Sequence, residues 1–146
     1  MIRRGAREDI GAVAALYERS FATLTFLPVL HSLEQHVSWF SSVLERAELW
    51  LYEEEGAIVA FMFLGDSVLE YLFLEPRVFR RGIGAAMLEL AKQLRPSGFT
   101  LWTFQQNVNA RAFYEQHGLE TIQLTDGQGN EEKLPDVQYA WRRAGS

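Results

Sequence analysis

The chain has no cysteine. That excludes disulfides, thiolate metal sites and a cysteine nucleophile, and it suits a reducing compartment. Histidine is scarce: of the three present, His31 and His36 stand without metal-ligand company, so no metal is expected. Positive charge is in deficit, with 14 Lys and Arg against 19 Asp and Glu for a formal charge of -5, which argues against a nucleic-acid partner. No apolar run approaches the roughly 20 residues that span a bilayer. Glu8, Asp9 and Glu18 break up the apolar residues after the basic N-terminus, so neither a membrane partner nor a signal peptide is expected. The expectation is a soluble, cytoplasmic chain. Its 146 residues are 48% hydrophobic and 13% aromatic, enough for a single domain, residues 1–146, with a substantial core.

One stretch organises the rest. Val68 to Pro76 reads as a buried strand, apolar and aromatic and stopped by a proline. Ile83, Met87, Leu90 and Leu94 recur at helical spacing. Between strand and helix lie Arg77, Arg80, Arg81, Gly82 and Gly84. A strand, a basic glycine loop and a helix start present free backbone N–H groups and a positive dipole end, which suits a phosphate. A nucleotide P-loop would need Gly-Lys-Ser/Thr, but Ala85-Ala86 follow Gly84. A dinucleotide fingerprint would need a third small residue where Met87 stands, and an acidic residue absent from Leu101 to Gln105. A glycine turn before an ordinary helix is the plain alternative.

Ile2 to Arg4 reads as an edge strand, and Glu8 to Phe21 as a helix with Ile10, Val13, Leu16, Tyr17 and Phe21 on one face. Ala22 to His31 is apolar without a period; such a connection either lines a pocket or packs on the core. Ser32 and Gln35 form a capping box for a helix reaching about Arg46. Leu49 to Tyr52, Ala57 to Leu64 and the central strand then make a meander with turns at Glu53 to Gly56 and Gly65-Asp66. Phe99 to Phe104 is a strand. Asn107 to His117 is a helix capped by Asn107 and stopped by Gly118. Leu119 to Leu124 and Val137 to Trp141 are the last strands. The order gives a mixed α/β sheet.

Pro76 six residues before Gly82-Ile83-Gly84 resembles the acetyl-CoA-binding motif of the GNAT superfamily of acyltransferases. Asn107, Ala110, Phe113-Tyr114-Glu115 and Gly118-Leu119 are similar to a second motif of that family. The resemblance implies a mostly antiparallel sheet of six to seven strands flanked by about four helices. It also implies acetyl-CoA as donor, with the amides of Arg81, Gly82, Ile83, Gly84 and Ala85 on its pyrophosphate and Arg80 and Arg81 adding side-chain contacts. By the same resemblance the central strand splays from its neighbour, and backbone at Leu72, Phe73 and Leu74 pairs with the pantetheine arm, one N–H serving the thioester oxygen. Asn107 would bond that arm, with Ala110 and Phe113 packing beside it. Tyr114 would protonate the departing thiolate, and Glu70 would act as base, directly or through water. The plain alternative for Tyr114 is a core tyrosine, and for Glu70 an exposed glutamate. On a regular strand Leu72 and Leu74 share the face of Glu70. Phe79 stands where the family usually has Arg or Gln.

For the acceptor, the resemblance points to Thr25 to His31 and Asp126 to Asp136, hence His31 and Glu131. Asp126, Asn130, Glu131, Glu132 and Asp136 make the second loop acidic enough to attract a cationic amine; a solvated loop is the plain alternative. The function implied is transfer of acetyl from acetyl-CoA to a primary amine, of a small molecule or a peptide N-terminus, by direct attack in a ternary complex. The alternatives are an acyl-CoA sensor on the same fold and an unrelated phosphate-loop module. Exposed strand and helix surfaces leave room for a homodimer.

Overall fold

The computed structural model describes residues 1–143, so the last three residues of the expected domain lie outside it. Strand β1 (Ile2–Arg4) is followed by a 3-10 turn, Arg7–Asp9, and helix α1 (Ile10–Phe21). Helix α1 begins later than Glu8. The Asp9 carboxylate accepts the Ala6 N–H at 2.9 Å and two Arg3 N–H groups at 2.8 and 3.1 Å, which holds that first turn in the tighter form. Helix α2 (Leu33–Val43) starts with the expected box: Gln35 N–H donates to the Ser32 hydroxyl at 3.2 Å, and Ser32 N–H to the Gln35 side chain at 2.7 Å. It ends before Arg46, in a run of turns.

Strands β2 (Glu48–Glu54), β3 (Ala57–Leu64) and β4 (Leu69–Leu74) form an antiparallel meander with β1 on its outer edge. A 3-10 turn, Pro76–Val78, leads to α3 (Ile83–Leu94), then β5 (Phe99–Phe104), α4 (Val108–Gln116), β6 (Glu120–Thr125) and β7 (Asp136–Trp141). Strands β5, β7 and β6, in that spatial order, make a second antiparallel sheet. The two sheets meet at one parallel bridge, Val68 with Thr100, where Thr100 N–H donates to Ser67 C=O at 3.0 Å. Beyond it β4 and β5 part. Seven strands and four helices thus form the expected mixed, mostly antiparallel architecture, with its sheet split in two.

The central strand is not regular. Phe63 faces Tyr71 while Leu64 faces Leu69, so Glu70 is an extra residue with no partner opposite, a β-bulge. A bulge shifts the side-chain alternation by one. Leu69, Leu72 and Leu74 therefore share the core with Val78, Met87 and Leu88 below α3, whereas Tyr71 and Phe73 join the cluster under α1 and α2. Glu70 is parted from Leu72 and Leu74, contrary to the regular-strand expectation, and its carboxylate takes Arg46 at 2.8 Å on the α2 side.

Helix α2 is seated by Phe40. This buried ring stacks on Phe63 (5.5 Å, 3°) and meets Tyr17, Phe61 and Tyr71 edge-on at 5.1 to 5.6 Å. At the far end of β4, Arg19 of α1 grips Glu75 with two bonds of 2.6 and 2.7 Å. The Arg19 hydrogen bonds hold the Glu75 carboxyl below its ordinary value of 4.5 despite the opposing effect of burial.

Two outcomes follow from this packing. Phe40→Ala should cost about 3–5 kcal/mol in urea unfolding, because the ring leaves a cavity between fixed walls. A carboxyl with a lowered native pKa stabilises the fold above its unfolded pKa and loses that contribution as pH falls through the native value. Arg19→Gln should therefore lower stability by about 1 kcal/mol at pH 7. The deficit should shrink as pH drops below the ordinary Glu75 value of 4.5; urea midpoints at several pH values check both parts.

Candidate functional site

Where β4 leaves β5, backbone groups are left without strand partners. Glu75 N–H donates to Val59 C=O at 2.8 Å, which fixes the phase of the β3–β4 ladder. Because bonded pairs alternate in an antiparallel ladder, Phe73 and Tyr71 turn their amides to β3, while Leu72 and Leu74 turn theirs toward the gap. Of the three residues expected there, Leu72 and Leu74 present free backbone. Phe73 instead gives its ring to Tyr17 (4.8 Å) and Phe61 (5.9 Å) in the aromatic cluster.

The glycine loop closes one end of the gap. Gly82, at φ +83°, is the residue before α3, and the first helical bond runs from Ala86 N–H to Gly82 C=O at 3.1 Å. Among the described residues the N–H groups of Arg81, Gly82, Ile83, Gly84 and Ala85 have no acceptor. The only other contributor at the helix start is the dipole, so the arrangement is an anion cradle. Arg80 takes the left-handed region at φ +66° and makes no ion pair among the described residues. Arg81 is different: its guanidinium is tied to Glu54 on β2 through bonds of 3.0 and 2.9 Å, so its side chain is not free for a phosphate in this arrangement. Phe79 is 44% exposed and pairs only its amide, with Pro76 C=O.

Helix α4 forms the other wall. Asn107 Oδ1 accepts the Ala110 N–H at 3.2 Å, so the side-chain carbonyl caps the helix and the amide NH2 is left free. The Phe113 ring packs beside α3, where a Cβ on Gly84 would lie 3.4 Å from it and 3.8 Å from Leu74, in ordinary contact with both. Tyr114 is half-buried and packs against Tyr139 at 5.9 Å. Its hydroxyl has no hydrogen-bond partner among the described residues, and burial pushes the phenol up from its ordinary value of 10.

On the opposite face of β4 lies a cavity of about 750 Å³ between α1, α2 and the β6–β7 loop. Pro28 to His31 line it although Leu27 packs in the core, so the 22–31 connection does both things expected of it. His31 Nε2 meets Glu131 Oε1 at 2.5 Å, joining residues one hundred positions apart. The floor is aromatic, with Tyr17, Trp39 and Tyr71; Trp39 Nε1–H donates to the Tyr71 hydroxyl at 2.7 Å. Burial raises the Tyr17 phenol, with Tyr71, Glu132 and Glu131 adding to it. Burial likewise raises Tyr71, against the Trp39 bond. Sequence reasoning missed these three residues: Tyr17 and Tyr71 read as further apolar positions on a helix and a strand, and Trp39 as one position of a capped helix. Glu70 does not line the cavity.

The β6–β7 loop is built, not loosely solvated. Asn130 donates to Leu134 C=O at 2.7 Å and to Asp136 at 3.1 Å, and Asp136 also binds the Thr125 hydroxyl. Gly127, at φ +85°, packs so close to Leu134 that any Cβ would strike its carbonyl. Asp136 and Asn130 thus hold the loop, leaving Glu131 and Glu132 on the cavity rim. Among the described residues no group of three or more His, Asp or Glu side chains is set to hold a metal, and no helix is long and apolar enough to cross a membrane.

Comparison with known proteins agrees with this geometry. A model described as an acetyltransferase (GNAT) domain matches residues 45–120. The chain is 29% identical over 143 residues to the peptidyl-lysine N-acetyltransferase YiaC of Escherichia coli, covering 97% of this chain and 96% of that protein. It is 35% identical over 123 residues to the peptidyl-lysine N-acetyltransferase YjaB of Salmonella typhimurium, covering 82% of each. The solution structure of apo YjaB from Escherichia coli matches with a TM-score of 0.76 at 26% identity, covering 99% of this chain and 98% of that one. An open strand edge, a cradle of free amides and an acidic aromatic cavity are thus found on a chain that belongs to the GNAT family of acetyltransferases, and it is an acetyl-CoA-dependent acyltransferase.

Proposed function

We propose that this domain, spanning residues 1–146, transfers acetyl from acetyl-CoA to a primary amine carried by a peptide, a lysine side chain being the favoured acceptor. The observation that carries the reading is the acidic, aromatic cavity floored by Tyr71 of β4, the strand whose free edge borders the donor gap. Among the described residues no Lys or Arg lines it, while Glu18, Glu131 and Glu132 do. A cationic head on an aliphatic stem suits such walls. The names of the similar bacterial proteins favour lysine over a peptide N-terminus.

The donor supplies an activated thioester. The amides of Arg81 to Ala85 hold its pyrophosphate, with Arg80 adding charge, and the open backbone of Leu72 and Leu74 aligns the arm beside the Asn107 amide, Ala110 and Phe113. The Leu72 N–H faces the gap and stabilises charge that develops on the thioester oxygen. The amine attacks the carbonyl carbon directly; its N–C bond forms as the C–S bond breaks, and the sulfur takes the Tyr114 proton. Direct proton removal by Glu70 requires its pair with Arg46 to open. The alternative within the cavity is passage through water to the glutamate rim, where His31 orients Glu131.

Tyr114→Phe should lower kcat by about 100-fold or more while leaving the KM for acetyl-CoA and the unfolding midpoint little changed; unaltered turnover in steady-state assays with a lysine peptide would remove the acid assignment. Acetyl-CoA should raise the unfolding midpoint of the wild-type chain, since it binds the folded form. Arg80→Ala should reduce that shift more than Arg81→Ala does, because Arg81 is already committed to Glu54. A larger loss from Arg81→Ala would show that its ion pair breaks on binding.

A further inference from the structure

A second cavity, of about 540 Å³, opens on β5 and β7 beneath the β6–β7 loop. Its walls include Trp102, Phe104, Asn130, Glu132 and Asp136. Nothing in the donor gap or the acceptor chemistry uses it. It adjoins the first cavity, because Glu132 lines both. Phe104 also meets Phe26 of the 22–31 connection, ring centroids 6.1 Å apart, so that connection packs against a wall of the second cavity.

Resting on the reading that the acceptor is part of a peptide, we propose that this second cavity binds a basic residue, arginine above all, placed near the acceptor lysine in the same polypeptide. The chemistry of the walls selects that occupant. Trp102 is 46% exposed and lines the cavity, and among the described residues no Lys or Arg stacks on its ring, so the indole is available to a planar cation. Asp136 has its two oxygens fixed by Thr125 and Asn130, and Glu132 sits on the shared rim. Among the described residues no Lys or Arg lines the cavity, so these carboxylates have no cation of the chain's own beside them there. Lys133, the nearest basic residue in sequence, turns its ammonium to Gln128 C=O at 2.7 Å within the loop. An arginine from outside would stack on Trp102 and pair with Glu132, while an acidic neighbour would meet two like charges. The site thus reads sequence context around the acceptor, separately from the cavity that takes the amine.

The test compares lysine peptides that differ only in flanking residues, Arg, Ala or Glu, together with a small lysine amide that has no flanks. Acetyl transfer by the wild-type chain should favour the Arg peptide over the Ala peptide by about tenfold in kcat/KM, carried by KM. The Glu peptide should be poorest. Trp102→Ala should abolish the preference while leaving transfer to the small amide unchanged, and Glu132→Gln should weaken it. Equal rates for Arg and Ala peptides, or a preference that survives Trp102→Ala, would overturn the proposal. Dye-labelled versions of the three peptides, titrated by fluorescence anisotropy, decide the same point without turnover. If no amine is acetylated yet the Arg peptide binds more tightly through Trp102, the acceptor reading fails and the basic-residue site stands. Circular dichroism and the unfolding midpoint verify that Trp102→Ala is folded.

Discussion

The structure depends on a strand, β4, that has a ladder partner on one side only. Buried N–H and C=O groups are normally paired, and an unpaired strand edge is an invitation to another chain. Here β4 and β5 share a single bridge at Val68 and Thr100 and then diverge. The protein tolerates this opening because everything around it is over-determined: β3 satisfies one side of β4, α3 and its leucines fill below, and the Arg19–Glu75 fork pins the strand's end. What is left free is a short row of backbone groups facing the gap. An extended amide-bearing ligand can pair with such a row as a missing strand would.

The bulge at Glu70 is the second determinant. By adding one residue it keeps Leu69 on the α3 side with Leu72 and Leu74, while Tyr71 and Phe73 alternate to the α1–α2 side. One short strand then borders two spaces, a gap along its edge and a cavity over its aromatic face.

How much of this could be read beforehand differs by kind of signal. The Ser32–Gln35 box, the Asn107 cap and the glycine loop were legible because each is local chemistry within a few residues. The order of elements and the opening beside the central strand were also expected. The facing of Glu70 was not, since a bulge is a property of the β3–β4 register and leaves no mark in β4 alone. Nor was the capture of Arg81 by Glu54, which requires the β2–β3 hairpin to lie beside the loop. The late start of α1 traces to Arg3, whose fork on Asp9 competes with an earlier helical turn. His31 and Glu131 were both named as acceptor-side residues, but their contact is a product of the fold.

The two loops that wall the aromatic cavity come from opposite ends of the chain and touch each other through His31 with Glu131. Neither loop contributes to the glycine cradle or to the open edge of β4. Both also lie outside the stretch by which the family is recognised, residues 45–120. On the proposed reading, donor and acceptor recognition thus fall in different parts of the chain, so that mutation of the clasp and its rim would alter the choice of amine and leave the part that handles the thioester as it is.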